Sequence, residues 1–418
     1  MKIIETLVTN EIKFMIIAIT FLLSLAIIMG QIFKKFKLPT VIGEIIGGIL
    51  LGPTLFGFLF PNLYNNIFFA FNEEGKVLGS FYYIGLIFLM FVTGYDLNLE
   101  FKKGDNKTVI GLLIGSSLIP FIFGFLVSRF FITNYIGTVN NVFIFSILFG
   151  LATAITSIPV ISKIFIDLDI IDTRFASIMI TSATLEDLIE WLILSIILGM
   201  ATHNMNVNSM VTTFVMTVVV FLFSFFIMPK MFKLNKGSIL KNEYIPILFC
   251  FIYIAILSLL GVSVMYSALL AGIILKRSIP NENISILNKL KGVAIVTFIP
   301  LYFSLVGLRV DLINNFNILR FIIFFVISMF IEVSGIVIVL SILKTKKEAI
   351  INFSLAMSAR GGPGIVLATV GYEYGIINVE FFTTLVLTSI LSSLIAGTWL
   401  RFQTKKGKEE FSKVYEGD

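Results

Sequence analysis

The chain is poor in cysteine, histidine and charge. Its one cysteine, Cys250, lies inside an apolar run, so it can build neither a disulfide framework nor a thiolate metal site. One histidine, His203, cannot make a histidine-rich metal centre; its position between apolar runs suggests a short outer loop. The 31 basic and 25 acidic residues make up only 13% of the 418 positions, about half of the roughly 25% usual in soluble domains. No glycine-rich phosphate fingerprint follows a strand pattern, so no nucleotide-binding domain and no cofactor is expected. The residues after Arg401 read as a short tail, 402–418.

What fills the chain instead is apolar. Hydrophobic residues make up 57% of it and the mean hydropathy is +1.01. A single globular core cannot hide that much apolar surface. Soluble enzymes, nucleic-acid binders and disordered chains are excluded, and an all-α polytopic protein of the lipid bilayer is expected.

A helix crossing a hydrocarbon core of ~30 Å needs about 20 residues. Runs of that kind fall near 14–33, 40–58, 78–97, 109–130, 142–166, 175–200, 209–229, 244–260, 262–275, 292–310, 320–343, 348–372 and 379–400. Thirteen spans are expected, the eighth and ninth divided only by Gly261. The first has no small-residue cleavage site and reads as a mature helix. Lys and Arg sort by side: 24 fall at odd-numbered loops and the tail, 6 at the N-terminal segment and even-numbered loops, and Arg360 lies within a span. By the positive-inside rule the N-terminus is outside and the C-terminus cytoplasmic.

Two spans are interrupted. The fifth carries Thr153, Thr156, Ser157 and Pro159, where proline removes a backbone bond and hydroxyls satisfy the freed groups. The twelfth carries Arg360, Gly361, Gly362, Pro363 and Gly364. Pro and Gly merely kink many membrane helices. Two breaks at matched depth, in spans of opposite direction, instead indicate the inverted repeats of a secondary transporter.

Intramembrane charge is costly and needs a partner or a function. Asp187, beside Glu186, lies 13 residues past Arg174; Glu332 lies 12 from both Arg320 and Lys344; Arg360 lies 13 past Lys347. These positions, with Thr156 and Ser157, share the midplane. Carboxylate and hydroxyl oxygens are hard ligands that suit Na⁺ or K⁺, and a carboxylate can exchange such a cation for a proton. Asp187 is therefore the expected carrier, with Glu186, Thr156 and Ser157 beside it and Glu332 and Arg360 as a charge network. Three ionised acids against one Arg360 leave two uncompensated charges, so one Glu is expected to keep its proton and exchange to be one for one. Glu190, a turn past Glu186, is assigned to an outer aqueous funnel. Glu44 is assigned to a cytoplasmic entry or to helix ends. Gly43, Gly47, Gly48 and Gly52 are spaced for close helix packing.

Several of these runs resemble the monovalent cation:proton antiporter-2 family: Gly43-Glu44 through Leu51-Gly52-Pro53, Thr156-Ser157-Ile158-Pro159, Glu186-Asp187, Tyr302-Phe303 through Gly307-Leu308 and Asp311, and Ala359-Arg360-Gly361. The resemblance spans nearly the whole chain, in order. It implies an exchanger domain over 1–401 that forms a homodimer. Helices at about 109–200 and 320–400 would form a core moving like an elevator against dimerisation helices at about 14–97 and 209–310. It also implies that Asp187 carries cation and proton. The sequence departs from the family in having Glu, not Asn or Asp, before Asp187.

The expected function is exchange of a monovalent cation for protons across a plasma membrane. A sodium-coupled organic-anion carrier, with Arg360 binding the substrate carboxylate, is the alternative. A channel is a third reading, but its polar residues would line a pore, whereas these cluster at one depth. A membrane enzyme is least expected, since no nucleophile–base pair is evident.

Overall fold

A computed structural model describes residues 6–36, 38–96, 106–202, 207–234, 245–278 and 284–405. His203 and most of the expected tail lie outside these residues. Among the described residues the chain is helical, with one isolated antiparallel bridge, Ile136 to Ile377.

The principal helices are α1 (Thr9–Lys35), α2 (Thr40–Leu51), α3 (Glu74–Asp96), α4 (Asn106–Phe130), α5a (Val142–Ala154), α5b (Ile158–Asp167), α6 (Arg174–Thr202), α7 (Val207–Leu222), α8 (Ile245–Leu259), α9 (Val264–Ser278), α10 (Leu287–Leu308), α11 (Ile318–Ile342), α12a (Lys347–Met357), α12b (Gly361–Glu373) and α13 (Val379–Lys405). Each apolar run of the sequence is helical. Among the described residues, nine helical stretches are long and apolar enough to cross a membrane. The other four runs are α6 with its three acids, the 15-residue α8 and α9, and the interrupted α12a–α12b. Between α8 and α9 the chain turns at Gly261, whose φ of 80° is open to glycine at little cost.

The helices pack in two groups. In one, α2 lies between α1 and α10, and α3 lies against α9 and α10, with α8 on α9. Glycine sets these spacings. A Cβ at Gly43 would strike the Met29 carbonyl of α1, and one at Gly48 the Ser304 carbonyl of α10; Gly307 returns the contact against Ile45. Gly94 and Gly272 do the same for α3 and α9. The expectation of close packing from the glycine spacing in α2 holds on both faces of that helix.

In the other group α4, α5a, α6, α11, α12a and α13 surround the two interruptions. Few contacts other than the chain passage from α6 to α7 join the groups; α2 meets α12b and α6 meets α9. Asn141, Asn317 and Asn378 cap α5a, α11 and α13 by accepting from Ile144, Arg320 and Phe381 backbone N–H groups at 3.0, 3.1 and 3.0 Å.

Three helices widen into a π turn, at Ile114–Leu118, Phe223–Ile227 and Ala294–Phe298. Each turn is followed two residues on by a proline: Pro120, Pro229 and Pro300. A proline ring clashes with the carbonyl one turn back and offers no N–H, and a wider turn relieves both problems.

Candidate functional site

The first interruption is the extended segment Ile155-Thr156-Ser157. Pro159 is not in the gap. It sits in the first turn of α5b, where its missing N–H costs nothing. The second interruption is Ser358-Ala359-Arg360, and Gly361, Gly362 and Pro363 likewise form the opening turn of α12b. In both spans proline restarts the helix rather than breaking it. The two gaps cross in contact: the Ser157 N–H donates to the Ala359 carbonyl at 2.7 Å. Gly361, at φ 38°, makes room, since a Cβ there would press on Ser157 Oγ and Val160. The loop before α5a is also joined to the loop after α12b, where Gly137 and Val139 N–H groups donate to the Ile376 and Gly375 carbonyls, each at 2.9 Å.

Thr156 Oγ lies 2.8 Å from both Glu186 Oε1 and the Met357 carbonyl. Met357 ends α12a, so its carbonyl has no further turn to bond. One hydroxyl thus ties together α6 and both crossing spans. Thr153 faces elsewhere: it donates to the Pro120 and Gly150 carbonyls at 2.9 and 2.8 Å, binding α5a to α4. Ser157 Oγ is fully buried with no hydrogen-bond partner among the described residues.

Arg360 is 1% exposed and makes three guanidinium hydrogen bonds, while its Nε has no partner among the described residues. Its Nη2 donates to Glu332 Oε2 at 3.0 Å and to the Thr153 carbonyl at 3.3 Å, and its Nη1 to Ser328 Oγ at 3.0 Å. A buried charge of this kind stands only with a partner. Glu332 of α11 supplies it and is itself fully buried.

The acids of α6 differ sharply in their surroundings. Both Glu186 oxygens are taken, Oε1 by Thr156 and Oε2 by Ser116 Oγ at 2.9 Å. Asp187, 1% exposed, has no donor on either oxygen among the described residues. Glu190 is in the same condition at 4% exposed. The expected outer funnel is therefore not where Glu190 lies; i and i+4 share a helix face, and the face of Glu186 is the buried one. Glu190 comes against the Glu186 carboxyl, and two acceptors form no hydrogen bond unless one holds a proton.

Two participants were not singled out from sequence. Ser116 is brought to Glu186 by the π turn of α4, and Gly115-Ser116-Ser117 with Pro120 in an apolar run was the available signal. Ser328 was a lone hydroxyl in α11 with no such signal. Glu44 lies in α2 against α1 near Gly30, in the other helix group.

Beyond the crossing, a cavity of about 730 Å³ lies between the two helix groups. At its edge the Arg309 guanidinium meets Glu373 at 2.7 Å while Tyr83 donates to the same carboxylate at 3.0 Å. Arg309 also stands over the Tyr82 and Tyr372 rings, 5.2 and 5.5 Å from their centroids. Two residues on, Asp311 organises the loop before α11. Burial pushes its carboxyl up, but hydrogen bonds from Asn314, Ile313 and Asn315 outweigh this and hold it below the usual carboxylate range.

Residues 20–406 match the family described as sodium/hydrogen exchanger, transmembrane. The Na(+)/H(+) antiporter NhaS4 of Synechocystis is 29% identical over 400 residues, covering 93% of this chain and 96% of that protein. The K(+)/H(+) antiporter 1 of Saccharomyces cerevisiae is 24% identical over 380 residues, covering 87% of this chain but 43% of the yeast protein, so the chain spans less than half of that relative. Among solved structures, the sodium proton antiporter MjNhaP1 of Methanocaldococcus jannaschii at pH 8 has the same fold, with a TM-score of 0.61 at 17% identity over 93% of this chain and 97% of that one.

Proposed function

The chain belongs to the sodium/hydrogen exchanger family, and from that premise we propose that Asp187 is the group that alternately binds the cation and the proton. The chain is a multi-pass membrane antiporter that exchanges a monovalent cation for protons. The observation that carries the assignment is a carboxylate buried beside two crossing helix gaps with neither oxygen meeting a donor among the described residues. An ionised carboxylate cannot stay in that state without a counter-charge. Either a proton or a small cation supplies it, and the two exclude each other.

The surroundings fit this role. Half-helix ends at the gaps place partial charges near the carboxylate. Thr156, bound to the neighbouring Glu186, and the unpartnered Ser157 hydroxyl of the first gap are read as neutral oxygens for the cation. Arg360 is bound to Glu332, Ser328 and the Thr153 carbonyl, which speaks against the organic-anion alternative. A substrate carboxylate would have to displace Glu332 and leave that acid buried without a partner.

The group containing α5 and α12 is read as the moving core and the group containing α1–α3 and α8–α10 as the dimerisation scaffold of a homodimer. The sparse contacts between the groups support that reading. The Arg309–Glu373–Tyr83 cluster clasps them at one end. The protein is read as a plasma-membrane protein with its C-terminus cytoplasmic, an orientation that the distribution of Lys and Arg supports. A C-terminal fusion that fluoresces only in the cytosol should glow; a dark, fully expressed fusion would reverse the orientation.

The direct test is purified protein in liposomes loaded with a pH dye. Adding Na⁺, K⁺ or Li⁺ outside should move internal pH without any organic solute. No response to any of the three would overturn the assignment.

A further inference from the structure

Four acids converge on the crossing, and they fall into two pairs by their hydrogen bonding. Glu332 is held by Arg360 through one oxygen, its other oxygen having no partner among the described residues, and Glu186 is held through both oxygens by Ser116 and Thr156. Asp187 and Glu190 have no such hold: their four oxygens are buried without a donor among the described residues, and Glu190 meets only the Glu186 carboxyl, a contact that bonds only when one of the two acids carries a proton. We propose that Glu190 is a direct ligand of the transported cation together with Asp187, and that Glu186 is a positioning residue. This rests on the antiport reading and names the ligands of that same site.

Asp187 and Glu190 are three residues apart on α6, within reach of one another on the helix surface. A small cation between them meets two sets of hard oxygens, the chemistry that suits Na⁺, K⁺ or Li⁺. The groups facing Glu190 are Glu186 and Asp187 from α6, Glu332 from α11 and Arg360 from the second gap. Among these, Arg360 is the only cation and it is bound to Glu332. Ser157 Oγ, buried and unpartnered at the crossing, adds a neutral oxygen to the same neighbourhood.

Glu186 is poorly suited to ligate. Each of its oxygens already shares a hydroxyl with a backbone carbonyl, Met357 through Thr156 and Leu112 through Ser116. Drawing a Glu186 oxygen onto a cation would undo links that hold α4, α6 and the crossing together. The sequence pattern alone, with Glu186 adjacent to Asp187, assigns the second acid differently. The assignment also removes the basis of the one-for-one expectation, which counted three acids at the midplane rather than four.

The experiment compares wild type, Glu190→Gln, Glu190→Asp and Glu186→Gln in liposomes, with half-saturation for Na⁺, K⁺ and Li⁺ measured separately from maximal rate. It also measures protection of each detergent-purified variant by the cation in thermal unfolding. Glu190→Gln is expected to raise half-saturation at least tenfold and to abolish thermal protection. Glu190→Asp should restore part of both. Glu186→Gln should lower maximal rate while changing half-saturation less than threefold. Unchanged half-saturation and protection in Glu190→Gln, with an active wild type, overturns the proposal. If Glu190→Gln does not fold, an unaltered half-saturation in Glu190→Asp overturns it instead, and a raised one supports it. A silent wild type would overturn the antiport reading and this assignment with it.

Discussion

The two helix groups are built on opposite principles. Around α2 and α3 the backbones approach to contact through Gly43, Gly48, Gly94, Gly272 and Gly307, and packing is backbone against backbone. Around the crossing, hydroxyls, carboxylates and a guanidinium fill the interior. In lipid no hydrophobic force pulls helices together, so close van der Waals packing through small residues is what makes one group a firm unit. The other group gives up regular helix at two places, and polar side chains stabilise what is exposed by that loss. Backbone-to-backbone packing needs no ion, whereas the second arrangement leaves two carboxylates, Asp187 and Glu190, with no donor on any oxygen among the described residues.

The largest way to break this contrast is Asp187→Asn. An amide cannot alternate between proton and cation, so exchange in liposomes should vanish while the protein still elutes folded; surviving cation-dependent proton flux would sink the role. Next comes Glu332→Ala, which leaves Arg360 buried and unpaired and should cost about 3–5 kcal/mol of stability. Thermal unfolding in detergent measures it, and Glu332→Ala combined with Arg360→Met should recover most of the loss. Gly48→Leu attacks the other group, forcing α2 off α10 at a cost of about 1–3 kcal/mol. If the contrast is right, whatever Gly48→Leu protein folds should keep wild-type cation half-saturation; an altered value would show that the groups are not independent. The Thr156→Ala, Ser157→Ala pair should raise cation half-saturation several-fold with a smaller change in maximal rate. The smallest effect belongs to the clasp between the groups. Glu373→Gln weakens a partly exposed ion pair, a contact worth roughly 0–1 kcal/mol, so the exchange rate should shift by no more than several-fold at constant half-saturation.

Much of the site was legible because lipid makes polar residues conspicuous. Asp187, Glu332 and Arg360 stood out as charges in apolar runs, and counting residues from flanking Lys and Arg put them at one depth. Depth says nothing about azimuth, however. The funnel assignment of Glu190 fails because a sequence does not show which side of α6 is covered. The breaks were legible as regions, but Pro159 and Pro363 drew attention to the restart of each helix rather than to the gap. Proline forbids an N–H bond only to the turn before it, and the gap is where that turn is missing.

The sequence by itself determined that this is a helical membrane protein, where its apolar helices run, and that two of them are interrupted among intramembrane acids. These follow from one-dimensional quantities: the length of apolar runs, the spacing of glycine and proline, and the cost of charge in hydrocarbon. Tertiary structure alone decided which acids are engaged and which are free. Ser116 reaches Glu186 only through the widened turn of α4, Ser328 reaches Arg360 only because α11 lies beside the crossing, and Asp187 and Glu190 meet no donor among the described residues. A hydrogen bond depends on two groups meeting within about 3 Å at a suitable angle, and that condition links residues 70, 30 and 32 positions apart here, at separations that residue spacing along a helix does not encode.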